Sequence, residues 1–230
     1  MTKNISIVLV HGFWGGAAHW AGVIKELHKR GFTDLHAVEN PLTSLANDAA
    51  RTRQMVAQID GPVLLVGHSY GGAVITEMGD MPNVAGLVYI AAFAPDAGES
   101  AGSISAANPP AAYENIAPDS DGYLWVAQDK FRDSFCQDLP EDAALVMAVT
   151  QKAPVASTFG DTITASAWKA KPCWYQLSTG DRMINPENQR MMSSRMNPKR
   201  VLELDASHAS LASRPGEVAD LIAEAAEAVA

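Results

Sequence analysis

The chain has 230 residues, 47% of them hydrophobic and 19% charged, which excludes a disordered polymer and is enough to bury a full core without disulfide or metal staples. Asp and Glu number 26 against 17 Lys and Arg, for a net charge of -9, so the mean field repels phosphate backbones and anionic lipid and no nucleic-acid partner is expected. Cys136 and Cys173 are too far apart for a disulfide framework and lack metal-type spacing, which points to a reducing compartment and no metal.

In chain order, the first apolar run is Ile5 to Val10. It is strand-sized, too short for a signal-peptide core, and no later stretch is long enough to cross a bilayer. A soluble, cytoplasmic protein with no membrane partner is expected. Trp20, Val23, Ile24 and Leu27 follow at helical spacing, placing four apolar side chains on one face. Strands are predicted at Asp34 to Val38, Pro62 to Val66 and Val84 to Ile90, with a weaker helical stripe of Leu45, Ala49, Thr52, Val56 and Ile59 between the first two. From about Pro95 to about Ala167 the alternation stops. A structureless loop of that length is improbable inside a compact domain, so the segment is read as a helical cap inserted between two strands. Its aromatic residues Trp125, Phe131 and Phe135, together with Trp14 near the N-terminus, are candidates for the substrate pocket. Strands Cys173 to Leu177 and Arg200 to Leu204 come next, and then Pro215 opens a helix carrying Val218, Leu221, Ile222, Ala225 and Val229. Six strands alternating with amphipathic helices predict one α/β domain over residues 1–230. The expected architecture is a mostly parallel sheet with helices on both faces.

The strongest chemical signal is Gly67-His68-Ser69-Tyr70-Gly71-Gly72, placed directly between a predicted strand and a predicted helix. A G-x-S-x-G string in that context puts the serine on a sharp, strained turn whose flanking positions have no room for side chains. Serine is a poor nucleophile at neutral pH, so it needs a histidine to take its proton and a carboxylate to orient that histidine. His208 follows the last strand and faces the same sheet edge as Ser69. His11 and His68 suit loop hydrogen bonding or packing, and His19, His28 and His36 suit packing or the surface. The acid should follow the penultimate strand, where Asp181 lies in a turn; Asp205 and then Asp161 are the alternatives. The backbone amides of Tyr70, after the serine, and of Phe13, in the glycine-rich loop His11-Gly12-Phe13-Trp14-Gly15-Gly16, are the candidate oxyanion donors.

These stretches, with Asp181-Arg182-Met183-Ile184 and Ser207-His208, resemble the α/β-hydrolase family, and within it small serine esterases similar to plant methyl esterases and hydroxynitrile lyases. The resemblance implies the α/β-hydrolase fold, a Ser69, His208 and Asp181 triad, an oxyanion hole and no cofactor. One lyase group has threonine where Gly12 stands and lysine where Ala209 stands, another has asparagine at Gly12, and related dehalogenases have aspartate in place of Ser69. The leading expectation is a hydrolase of small or medium apolar carboxylic esters acting through an acyl-enzyme. The alternatives are a lyase or C–C hydrolase on the same triad, and a receptor-like ligand-binding protein. A small-molecule ester is the expected partner, and homodimer formation is left open.

Overall fold

A computed structural model describes residues 4–230. The elements in chain order are β1 (Ser6–Val10), α1 (Ala21–Lys29), β2 (Leu35–Val38), α2 (Leu45–Val56), β3 (Val63–His68), α3 (Gly71–Met78), β4 (Val84–Ile90) and α4 (Ala101–Ala107). They continue with β5 (Ile116–Pro118), β6 (Leu124–Val126), α5 (Gln128–Phe135), α6 (Glu141–Val149), β7 (Cys173–Ser178), α7 (Pro186–Met196), β8 (Arg200–Leu204), α8 (Ser210–Ser213) and α9 (Pro215–Val229). Six strands form one sheet in the order β2-β1-β3-β4-β7-β8, and every pairing in it is parallel. All six are the strands expected from the apolar runs, two with the expected ends and four with ends moved by one or two residues.

Strand periodicity decides which layer each side chain joins. Ile7 and Leu9 of β1, Leu64 and Val66 of β3, Val88 and Ile90 of β4 and Trp174 of β7 share one core with α1 and α9. The alternate residues Val8, Val10, Val63, Leu65, Leu87, Tyr89 and Tyr175 face the other core, with α2, α3 and α7. The stripes read from the sequence do this packing: Trp20, Val23, Leu27, Val218, Leu221, Ile222 and Ala225 are buried in the first core and Leu45, Ala49 and Val56 in the second. Local caps fix the helix starts. Ser44 accepts the Asn47 amide at the head of α2, Asn185 accepts the Glu187 amide at the head of α7, and Pro215 occupies the first turn of α9.

The segment between β4 and β7 holds three helices, α4 to α6, but it is not helical throughout. β5 and β6 form an antiparallel hairpin, with Ile116 opposite Val126. Asp119 closes its turn by accepting the amides of Asp121 and Tyr123, and Gly122 takes a left-handed φ of 82° there. Three-residue strands are too short to leave a periodic trace, so the expected helical cap did not include them.

Candidate active site

The turn from β3 into α3 is held by close backbone contacts. A Cβ at Gly67 would stand 2.6 Å from the Gly71 backbone, and one at Gly71 would stand 2.3 Å from the Val10 carbonyl oxygen. Only glycine lets the three chain segments meet there. Ser69, at the apex, adopts φ 56°, a left-handed conformation rare for a residue with a side chain. The strain is retained by hydrogen bonds on both sides: the Ser69 amide donates to the Ile90 carbonyl, and its carbonyl accepts from Gly72 and Phe93.

Beside this turn lies the loop after β1. A Cβ on Gly12 would fall 2.4 Å from Ser69 Cβ and 2.9 Å from Ser69 Oγ, so the Gly12 backbone rests directly against the serine. His11 stitches the loop in place. Its Nε2 accepts the Asn40 amide, so the ring proton lies on Nδ1 and is donated to the Gly12 carbonyl. The ring of Phe13, the next residue, stacks on that of Tyr70 with centroids 3.9 Å apart and planes 13° off parallel. Among the described residues, neither the Phe13 nor the Tyr70 amide donates to a protein acceptor. Both remain available at the end of α3, where the helix dipole is positive.

His208 sits in the loop between β8 and α8 and is fully buried. Its Nδ1 lies 2.8 Å from Asp181 Oδ2. A carboxylate only accepts, so the ring proton is on Nδ1 and Nε2 presents a lone pair. Among the described residues Nε2 is buried without a hydrogen-bond partner. Asp181 is held tightly: Oδ1 accepts the amides of Met183 at 2.8 Å and Ile184 at 2.9 Å, and Oδ2 also accepts Gln189 Nε2 at 2.8 Å. Gln189 is in turn fixed by the Ser178 amide and the Ile184 carbonyl. The other two acid candidates are engaged elsewhere, Asp161 with the Leu45 amide and Asp205 in an exposed position.

The surroundings of His208 come from distant parts of the chain. Phe135 meets its ring edge-on at 4.9 Å and His68 lies 4.7 Å away, donating from Nε2 to the His208 carbonyl. Asp138 accepts the Ser207 amide and so anchors the loop. Burial, followed by the neighbouring His208, holds His68 well below the ordinary histidine range, and burial lowers His19 to about 4. Both are neutral near pH 7 and place no competing positive charge beside His208.

A cavity of about 670 Å³ opens above Ser69. Phe13, Trp14 and Phe159 form an aromatic wall, and Tyr113, Ile116 and Leu124 contribute from the inserted segment. Of the four expected pocket residues only Trp14 lines it. Trp125 is 40% exposed and donates to Asp119, while Phe131 and Phe135 are wholly buried and pack on each other, Phe135 also meeting His208 edge-on. An aromatic residue in the inserted segment can face solvent, core or cavity, and composition does not say which. Gln189, Asp138 and Phe135 as supports of the Asp181–His208 pair were also missed; nothing in their local sequence marks them. Among the described residues no cluster of His, Cys, Asp and Glu could hold a metal ion. No helix there is long and apolar enough to cross a membrane.

The sequence and the fold resemble those of known proteins. The sequence profile described as "Alpha/beta hydrolase family" matches residues 7–221. The chain is 27% identical over 247 residues to "Probable hydrolase R7" of Phoma sp. (strain ATCC 20986 / MF5453), covering 98% of this chain and 99% of that one. It is 33% identical over 108 residues to the "Carbendazim hydrolyzing esterase" of Nocardioides sp. (strain SG-4G), covering 41% of this chain and 45% of the esterase. Among solved structures, pyrethroid hydrolase PytH with BIF superposes with a TM-score of 0.81 at 25% identity, over 97% of this chain and 98% of the hydrolase. The methylesterase MES16 from Arabidopsis, at 18% identity, shares the fold with a TM-score of 0.75 over 97% of this chain and 99% of its own.

Proposed function

The chain belongs to the alpha/beta hydrolase family, and from that premise we propose that it is a serine carboxylic ester hydrolase working through an acyl-enzyme. The observation that carries the reading is the buried Asp181–His208 pair. It leaves one buried imidazole nitrogen without a partner, while Ser69, strained at its turn, opens into an apolar cavity.

Ser69 Oγ attacks the ester carbonyl while His208 Nε2 takes its proton. Asp181, fixed by two backbone amides and Gln189, keeps the imidazole in the Nδ1–H tautomer and stabilises the imidazolium. The charge gathering on the carbonyl oxygen is met by the amides of Phe13 and Tyr70. Collapse expels the alcohol, which receives the proton from His208 Nε2. Water then attacks the acyl-serine by the same steps with His208 as base, releasing the acid and restoring Ser69.

The cavity bounds the substrate. None of its lining side chains is charged, so a carboxylate or ammonium on the substrate would lose its hydration without a partner. Neutral apolar esters are the substrate class, and the volume accommodates medium as well as small ones. The lyase alternative is disfavoured by Gly12, because a threonine or asparagine there would collide with Ser69 in this backbone. We take residues 1–230 as one domain with a cap over about 95–167. The two free, buried cysteines support a reducing, cytoplasmic setting, and the net charge of -9 speaks against nucleic acid.

A panel of p-nitrophenyl esters, methyl esters, lactones and cyanohydrins on wild type and Ser69→Ala tests the reading. Hydrolysis of neutral esters that falls by about 10³ or more in Ser69→Ala is expected. Undiminished hydrolysis in that variant, or a cyanohydrin cleaved faster than any ester, would overturn it.

A further inference from the structure

Asp48 is a fully buried carboxyl on α2, away from the Asp181–His208 pair, and burying a carboxylate is costly without a return. Its two oxygens have separate duties. Oδ2 accepts the Tyr70 hydroxyl at 2.8 Å, and Oδ1 accepts the Leu42 amide at 2.8 Å. Leu42 is itself in a left-handed conformation, φ 60°, and its carbonyl accepts the Val155 amide from the inserted segment. Tyr70 therefore has a tethered tip at one end and, at the other, a free backbone amide directly after the nucleophile. Along its length the ring stacks on Phe13 at 3.9 Å, and Phe13 meets Phe159 at 4.5 Å.

We infer that Asp48 is a positioning residue of the oxyanion hole, acting through the tethered Tyr70 ring and, by that ring's stack on Phe13, on both donor amides at once. The inference rests on the reading of Phe13 and Tyr70 as the oxyanion donors. Fixing the hydroxyl tip removes the rotamer freedom of the Tyr70 side chain, and the stack passes that restraint to the loop after β1. The two amides come from chain segments more than fifty residues apart in sequence, so nothing local sets their separation. Preorganised donors pay no reorganisation when the carbonyl oxygen becomes an anion, which makes the restraint matter in the transition state and little in the ground state. The charged groups acting on Asp48 from neighbouring elements are Lys152 and Asp161, and Lys152 is already paired with Glu39.

Steady-state kinetics of wild type, Tyr70→Phe, Asp48→Ala, Asp48→Asn and the Tyr70→Phe/Asp48→Ala double variant test this, alongside affinity for a trifluoromethyl ketone, which forms a tetrahedral oxyanion on the serine. The expected result is kcat lowered about tenfold or more in Tyr70→Phe and Asp48→Ala with KM within about twofold. Ketone affinity should fall by the same factor, the double variant should be no worse than the weaker single, and Asp48→Asn should recover part of the loss. If Asp48→Ala does not fold, Tyr70→Phe breaks the same hydrogen bond from its donor end. Single variants that lose thermal stability but keep wild-type kcat, or that change KM alone, would overturn the inference. Hydrolysis surviving in Ser69→Ala would instead overturn the reading of the site on which it rests.

Discussion

In the proposed mechanism single side chains carry the chemistry through the state of one atom each. The Nδ1 proton of His208 points at Asp181 Oδ2, which in that proposal makes Nε2 the base. In Asp181→Asn the amide can donate to Nδ1, placing the proton on Nε2, where it blocks abstraction from Ser69. The expected loss in kcat is about 10³–10⁴ with the fold retained, read from kinetics and circular dichroism. Asp48 has the opposite balance of function and stability. Burial raises its carboxyl to about 6, above its ordinary value, against the pull of Tyr70, Leu42 and Lys152. A raised folded-state value means the folded protein holds the proton more tightly than the unfolded chain. The stabilisation is therefore full below about pH 4 and lost as pH rises through about 6, on the order of 2–3 kcal/mol for a group this buried. Denaturant titrations of Asp48→Asn from pH 4 to 8 should show that slope removed while the rest of the pH dependence stays. A wild-type slope unchanged in the variant would assign the titration elsewhere.

Elements set where those atoms stand, and the turn from β3 to α3 is the tightest of them. At Gly71 the obstacle is the Val10 carbonyl oxygen, 2.3 Å from where a Cβ would be, and backbone cannot rotate away as a side chain can. Gly71→Ala should cost about 3 kcal/mol or more and yield unstable or insoluble protein. Gly216, in the first turn of α9 with nothing within 4 Å of its Cβ position, is the control. Gly216→Ala should be neutral or stabilising by about 0.5–1 kcal/mol, measured by urea midpoint. Strands and helices of this kind were legible because each repeats its signal. β1 alternates between two cores over five buried residues, and α9 returns an apolar side chain to the sheet on every turn. The β5–β6 hairpin repeats nothing. Its three-residue strands exist because Asp119 and Gly122 close the turn and because Tyr123 bridges to Val155, a contact across thirty-two positions.

The whole molecule decides what reaches the serine. The cavity is walled by the loop after β1, by α4, by the hairpin and by the turn carrying Phe159, so its shape belongs to the packing of the inserted segment against the sheet. Ala106 lines it from α4. Ala106→Trp should narrow the cavity from that wall. KM for a bulky ester should then rise about tenfold or more while acetate esters keep kcat/KM within about threefold, because the obstruction is felt only by the longer group. Equal losses for both would show that the substitution had disturbed the loop after β1 instead.

Fold class and strand positions were determined by the sequence itself, and the proposed Ser69, Asp181 and His208 were chosen from it, because each rests on short-range information: strand and helix periods, a glycine pattern around one serine, turns after particular strands. What only the tertiary structure decided is which side chains meet across long separations. Gln189 on Asp181, Phe135 and Asp138 around the His208 loop, and Asp48 on Tyr70 are separated from their partners by 8 to 73 positions, and each pairing depends on how layers stack. Trp125, Phe131 and Phe135 make the same point from the other side. An aromatic ring gains free energy from burial in any direction, and only the packed fold chooses between core, surface and cavity.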